Sequence, residues 1–136
     1  MENFQLNNDI KVFYLAAKSF PDGVLEAHNE LQAKLPTIEN RKFFGISSPG
    51  ENGSILYKAA VEELYDGEGK KAGCERFTIK AGKYISTFIA DFMKDVPAVS
   101  KAFRKLLAYP GIDPNGYCLE IYEGSSDVRC LVPLIT

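Results

Sequence analysis

The apolar runs of this chain come in one order, twice, and that repetition limits its folds more than any single motif. Residues 11–20 (KVFYLAAKSF) are mostly apolar, aromatic at Phe13 and Tyr14, and stop at Pro21, which reads as a strand. Asp22 is placed to cap a helix from Gly23 to Lys34, closed by Pro36. Along it Val24, His28, Leu31 and Leu35 form one stripe. Residues 42–48 and 54–63 then flank Pro49-Gly50-Glu51-Asn52-Gly53, turn chemistry throughout, and read as a hairpin.

Residues 65–74 (YDGEGKKAGC) have no periodicity and read as a linker. After it the order begins again. Residues 76–92 form a long extended run broken at Ala81-Gly82, and Asp95 is placed to cap a helix with Pro97 in its first turn. That helix carries the stripe Val96, Val99, Phe103, Leu106–Leu107 and ends near Pro110-Gly111. A second hairpin, 117–123 and 127–134, turns through Gly124-Ser125-Ser126. Each half is thus strand, helix, strand, strand: about 10–64 and 75–135. At an offset of 72, Lys11/Lys83, Phe20/Phe92, Val24/Val96 and Leu35/Leu107 coincide, so the order of elements carries the repeat more than the letters do. The expected fold is one α+β domain over residues 1–136, with two main helices on antiparallel strands.

Composition narrows function by exclusion. Sixteen Lys and Arg against eighteen Asp and Glu leave a net charge of −2, which argues against sequence-independent nucleic-acid binding. No apolar run approaches the ~20 residues of a membrane-spanning helix, and MENFQLNNDI lacks the pattern of a signal peptide. Cys74, Cys118 and Cys130 are an odd set at irregular spacing, read as reduced thiols of a cytosolic protein. The lone His28 speaks against a histidine metal cluster or a Ser-His-Asp triad; on the apolar stripe it reads as a partly buried, hydrogen-bonded histidine. No metal or cofactor is expected.

Ala81-Gly82-Lys83-Tyr84 opening a strand, Glu120-Ile121-Tyr122 in the penultimate strand and the ending Leu131–Ile135 resemble the second half of the gyrase-inhibitory-protein-like small-molecule-binding domain. This is also the effector-binding domain of AraC-type and MerR-type multidrug regulators. Phe44-Gly45-Ile46 and Tyr57–Val61 fit its first half, so the resemblance spans residues 10–135. It implies a pseudo-twofold antiparallel sheet with a pocket between the halves, binding bulky, often cationic aromatic molecules through aromatic walls and one buried glutamate. Glu120 stands where that acid is expected. The chain departs from the pattern in having no tryptophan and no DNA-binding domain, so a stand-alone binding module is expected.

Strand alternation sets Leu119 and Ile121 on one face and Cys118, Glu120 and Tyr122 on the other. The apolar pair is expected under the helix, with Glu120 and Tyr122 facing away. A three-residue loop puts Glu120 opposite Cys130. A five-residue loop puts Gly45 opposite Tyr57, beside Phe43 and Ser47, at the repeat position of Glu120. An ionised carboxylate buried without a partner costs several kcal/mol, so Glu120 is protonated, paired or awaiting a cation. A lipophilic cation would gain that charge pair and cation–π contacts of about 0.5–2 kcal/mol each with Tyr57, Tyr122 and Phe88 or Tyr14. The structural alternative pairs Glu120 with Arg129, Lys58 or Arg76.

The ligand-contact set is therefore Glu120, Tyr57, Tyr122, Phe43, Gly45, Phe88 and Cys130. In the enzymatic alternative, a small hydrolase, Glu120 and Tyr57 or Tyr122 act as base and acid. A gyrase-binding inhibitor is a third reading, by analogy alone. Gly67–Lys71 lacks phosphate-loop spacing and reads as a solvated turn, and Lys101, Arg104 and Lys105 as a helix's solvent face. A homodimer or another protein partner is left open.

Overall fold

In the computed structural model, which describes residues 1–135, the chain forms two compact units. The first is Ile10–Ile79; the second joins Met1–Asp9 to the residues from Lys80 onward. The fold is α+β, with strands β1 (Glu2–Leu6), β2 (Ile10–Ala16), β3 (Phe43–Pro49), β4 (Ile55–Glu62), β5 (Glu75–Ile79), β6 (Gly82–Ile89), β7 (Cys118–Glu123) and β8 (Asp127–Pro133). Helices α1 (Val24–Ala33), α2 (Glu68–Lys71) and α3 (Pro97–Leu107) lie between them.

The duplicated strand-helix-strand-strand order is present as β2-α1-β3-β4 and β6-α3-β7-β8. Both units are antiparallel, with strand order β5-β2-β4-β3 in the first and β1-β6-β8-β7 in the second. The long run after residue 75 is divided: β5 pairs with β2, whereas β6 pairs with β1 and β8. At the break Gly82 adopts φ +141°, a conformation that favours glycine, and the Ala81 N–H donates to Asp9 Oδ1 at 2.7 Å.

Strand β1 was not expected from the sequence. Its letters, Glu-Asn-Phe-Gln-Leu, match Glu-Arg-Phe-Thr-Ile of β5 at an offset of 73. The repeat thus begins one strand earlier than the apolar runs suggest, and the two leading strands are exchanged. The strand that precedes β2 in sequence pairs with β6, and the strand that precedes β6 pairs with β2.

Phe13, Tyr57, Ala59 and Val61 pack with Ala27 and Leu31 of α1, and Leu35, Val24 and Phe43 close this core. In the second unit Ile85, Val128, Cys130 and Val132 pack with Ala102 and Leu106 of α3. The buried helix pairs Ala27/Leu31 and Ala102/Leu106 superpose at an offset of 75, so the strand-to-helix connection of the second repeat is three residues longer than an offset of 72 implies. Val96 and Leu107, expected in the α3 stripe, are exposed. Lys101, Arg104 and Lys105 are exposed as well, as their spacing indicates.

Neither expected cap forms. Gly23, not Asp22, is the N-cap of α1, in a turn so tight that a Cβ on it would meet Ser19 N and O at 2.9 Å. Val96 precedes α3 without a side-chain cap; the Asp95 carbonyl accepts from the Ala98 N–H, and Pro97 has no N–H to satisfy.

Within residues 65–74 most side chains are exposed, but Gly67–Lys71 is not wholly a solvated turn. The segment holds α2, where Glu68 is 7% exposed and Gly69 is buried against Phe13. Glu68 receives Arg41 in a two-pronged ion pair (3.0 and 3.2 Å) and accepts the Leu64 N–H at 2.8 Å. The Arg41 side chain, 2% exposed, also reaches the Glu62 carbonyl at 3.1 Å. A buried acid holds this segment in place, and glycine content alone does not reveal it.

Candidate ligand-binding site

In the second unit, β7 alternates as expected, but its sides are reversed. Cys118 and Tyr122 pack into the cluster that faces α3, so Glu120, on the same face, also looks toward the helix side. Leu119 and its partner Leu131 are fully buried on the opposite face. Both faces of the hairpin are thus apolar, and the presence of leucine does not mark the helix side.

Glu120 lies opposite Cys130, the register expected for a loop of Gly124-Ser125-Ser126. Tyr122, two residues along the strand, donates its hydroxyl to Glu120 Oε1 at 2.7 Å. Its ring sits 5.7 Å from that of Phe92, tilted by 45°. Val99 and Phe103 of α3 pack on the same cluster. Burial first, and then the Glu120 charge, push the Cys118 thiol up to about 11 and the Cys130 thiol up to about 12. Both are protonated at neutral pH and are poor nucleophiles taken singly.

In the first unit, Phe43, Gly45 and Tyr57 share the face that meets α1. Gly45 stands opposite Ala59 rather than Tyr57, and Tyr57 stands opposite Ser47. The ladder continues to the pair Pro49–Ile55 before turning, which moves the register by two residues and preserves the face. Through the pairs Gly45–Ala59 and Glu120–Cys130 the two hairpins correspond, so glycine does occupy the place of the acid. The next equivalent pairs are Ser47–Tyr57 and Tyr122–Val128: each unit has one tyrosine there, on opposite strands.

Tyr57 is 2% exposed, and its hydroxyl lies 2.9 Å from His28 Nε2. The two rings meet edge to face at 5.8 Å, and Phe20 packs on Tyr57 at 5.9 Å. Burial lowers His28 to about 4, so the imidazole is neutral at pH 7. His28 follows the sequence reading of a hydrogen-bonded core histidine; its partner was not legible, because a helix residue meets a strand residue 29 positions away.

The structure separates Phe88 from Glu120. Phe88 is 41% exposed on the other face of β6, opposite Arg129, whose guanidinium lies over its ring (5.2 Å) and over Phe4 (5.3 Å). Arg129 also pairs with Glu2 at 3.2 Å and Glu123 at 3.1 Å. Lys58 sits over Tyr14 and Phe77, and Arg76 pairs with Glu63 and Asp66. Each of the three cations considered as a structural partner of Glu120 has these partners instead.

Two surface depressions, about 470 Å³ over Lys11, Arg76, Phe77 and Thr78, and about 280 Å³ over Lys80–Tyr84, Asp113 and Pro133–Ile135, are not lined by these aromatic and acidic residues. Among the described residues no helix is long and apolar enough to cross a membrane, and no group of three or more His, Cys, Asp and Glu is placed to hold a metal.

No family model and no curated protein matches the sequence. Solved structures match the fold. An integron cassette protein from the mobile metagenome of Vibrio cholerae aligns with a TM-score of 0.72 at 11% identity, over 98% of this chain and 95% of that one. A candidate bacterial transcription regulation protein from Staphylococcus aureus aligns at 0.63 and 12%, over 99% and 97%. The protein SAV2435, bound to tetraphenylphosphonium, aligns at 0.63 and 13%, over 99% and 94%. A hydrolase from Listeria innocua aligns at 0.58 and 8%, over 98% and 91%. At these identities the likeness is one of fold: this chain has the architecture of proteins that include a candidate transcription regulator and a binder of a small organic cation.

Proposed function

We propose that the protein is an effector-binding module for lipophilic cations, with Glu120 as the counter-charge and Tyr122 and Cys130 in contact with the ligand. The observation that carries this reading is the position of Glu120. A carboxylate sits on the helix-facing side of a sheet between two protonated thiols, oriented by the Tyr122 hydroxyl at 2.7 Å, on the face where Phe92 and Phe103 pack. A delocalised organic cation suits such a place, because it loses little hydration on entry and gains both the charge and the ring faces. Phe43, Gly45 and Tyr57 lie on the corresponding face of the first unit, where glycine stands in place of the acid. Phe88 is left out, since it lies on the other face. A fold neighbour holding tetraphenylphosphonium supports the choice of ligand class.

Calorimetric titration with tetraphenylphosphonium and with neutral triphenylphosphine oxide tests it. Glu120→Gln should weaken the cation at least tenfold, roughly 1.4 kcal/mol, and leave the neutral compound within twofold. Equal affinity of wild type and Glu120→Gln for the cation would sink the proposal.

A second reading, hydrolysis of a small electrophile, is favoured by the same hydrogen bond: a carboxylate and a phenol in contact are a base and an acid within reach of one substrate. Its mark is turnover lost in both Glu120→Gln and Tyr122→Phe, with Tyr57→Phe showing whether the other tyrosine takes part.

A further inference from the structure

Two of the three cysteines flank Glu120, and neither the cation nor the hydrolase reading uses their chemistry. Cys118 lies two residues before Glu120 on the same face of β7, and Cys130 lies across the ladder from Glu120 on β8. The two are therefore diagonal neighbours on one face of an antiparallel pair, about 7–8 Å apart at Cα, and close enough that Cys118 acts electrostatically on Cys130. Both belong to one apolar cluster, with Phe92, Val99, Phe103 and Tyr122 around them. Cys130 is fully buried and Cys118 half-buried. Cys74 belongs to the core of the first unit and has no such companion.

We infer that Cys118 and Cys130 form a dithiol site for trivalent aryl-arsenicals and chemically similar thiophilic centres that bridge two sulfurs, with the aryl group against Phe92, Phe103 and Tyr122. The bonding balances without a further reagent. An aryl-arsenic oxide meets two thiols; two S–H bonds and the arsenic–oxygen linkage break, two As–S bonds form, and the oxygen leaves with both protons as water. Arsenic stays trivalent and both sulfurs keep their oxidation state. Glu120, opposite one thiol and two residues from the other, is placed to pass protons from sulfur to the departing oxygen.

The surroundings select for bridging over single attack. Burial and the Glu120 charge keep both thiols protonated, which disfavours reagents that need one free thiolate. Once one sulfur is bound, the second acts at the high effective concentration of an intramolecular partner. The site shares Tyr122 and Cys130 with the proposed cation site but tests separately from it, because the arsenical is neutral and its bonds are to sulfur.

The test uses the full chain and phenylarsine oxide, followed by intact mass under native conditions and by thiol counting after denaturation. One adduct per chain is expected, with two thiols consumed, Cys74 still titratable and reversal by a small dithiol. Cys118→Ser and Cys130→Ala should each lose the bridged adduct, while Cys74→Ala keeps its stoichiometry and rate and Glu120→Gln forms it more slowly. An adduct that persists in either single variant, or one that forms only after unfolding in denaturant, overturns the assignment. Near-UV circular dichroism of each variant separates loss of the site from loss of the fold. A Glu120→Gln protein that no longer distinguishes tetraphenylphosphonium from its neutral analogue but still takes one arsenical would support the cation and the dithiol readings separately.

Discussion

Tyr122 donates its hydroxyl to Glu120 at 2.7 Å from two residues along the same strand, so one strand carries both the acid and the group that orients it. Removing the phenol hydroxyl leaves a half-buried carboxylate with one fewer donor. Tyr122→Phe should cost about 1–3 kcal/mol at neutral pH. The cost should shrink in a Glu120→Gln background, where the acceptor has no charge. Urea melts of the two single variants and the double variant measure the coupling; a coupling indistinguishable from zero contradicts it.

His28 gives the fold a defined acid sensitivity. Its pKa is about 4 in the folded protein, against an ordinary 6.5, because burial penalises the imidazolium. Below 6.5 the unfolded chain takes up a proton that the folded chain refuses. The contribution is therefore fully present at pH 7, declines as pH falls from 6.5, and is lost by about pH 4. Its size is on the order of 3 kcal/mol. Urea unfolding of wild type and His28→Gln at pH 7 and pH 4.5 should show a clearly smaller acid loss in the variant.

Arg41 and Glu68 form an ion pair with both side chains almost wholly out of water. Arg41→Ala leaves a buried acid without its cation and should cost about 3–5 kcal/mol. Replacing both, as Arg41→Met with Glu68→Leu, should recover much of that loss. Chemical denaturation decides, and a double variant no better than Arg41→Ala would contradict the account.

Lys58 and Arg129 occupy corresponding positions of β4 and β8, over Phe77 of β5 and Phe4 of β1. Each cation thereby fastens the leading strand of the other repeat. Phe4→Leu and Phe77→Leu should each cost about 0.5–2 kcal/mol, and Phe4→Leu should speed amide exchange along Glu2–Leu6 more than elsewhere. Uniform protection along β1 in the variant would refute the fastening role.

Much of the architecture was legible because apolar runs and turn residues agreed: the helix positions, both hairpins and the Glu120–Cys130 register all follow from them. The side of the sheet was not. Alternation assigns Leu119 and Glu120 to opposite faces, but it tells inside from outside only when one face is polar, and Leu119 is as buried as Cys130. The Gly45 register moved because Pro49 still belongs to the ladder. Strand β1 escaped notice because ENFQL has few apolar letters; only comparison with ERFTI gives it away. The Arg41–Glu68 pair joins residues 27 apart, a relation that no local pattern encodes.

The exchanged strands set an order of events on the ribosome. Once Ile79 has emerged, all the strands of the first unit exist and its sheet can close. The opening strand is made before any of them, yet its partner β6 begins only at Gly82, and β8 beyond it ends at Pro133. Glu2–Leu6 therefore waits, unpaired, at least until Gly82–Ile89 has been made. Its glutamate, asparagine and glutamine suit a segment that must stay out of mistaken pairings until its partner arrives.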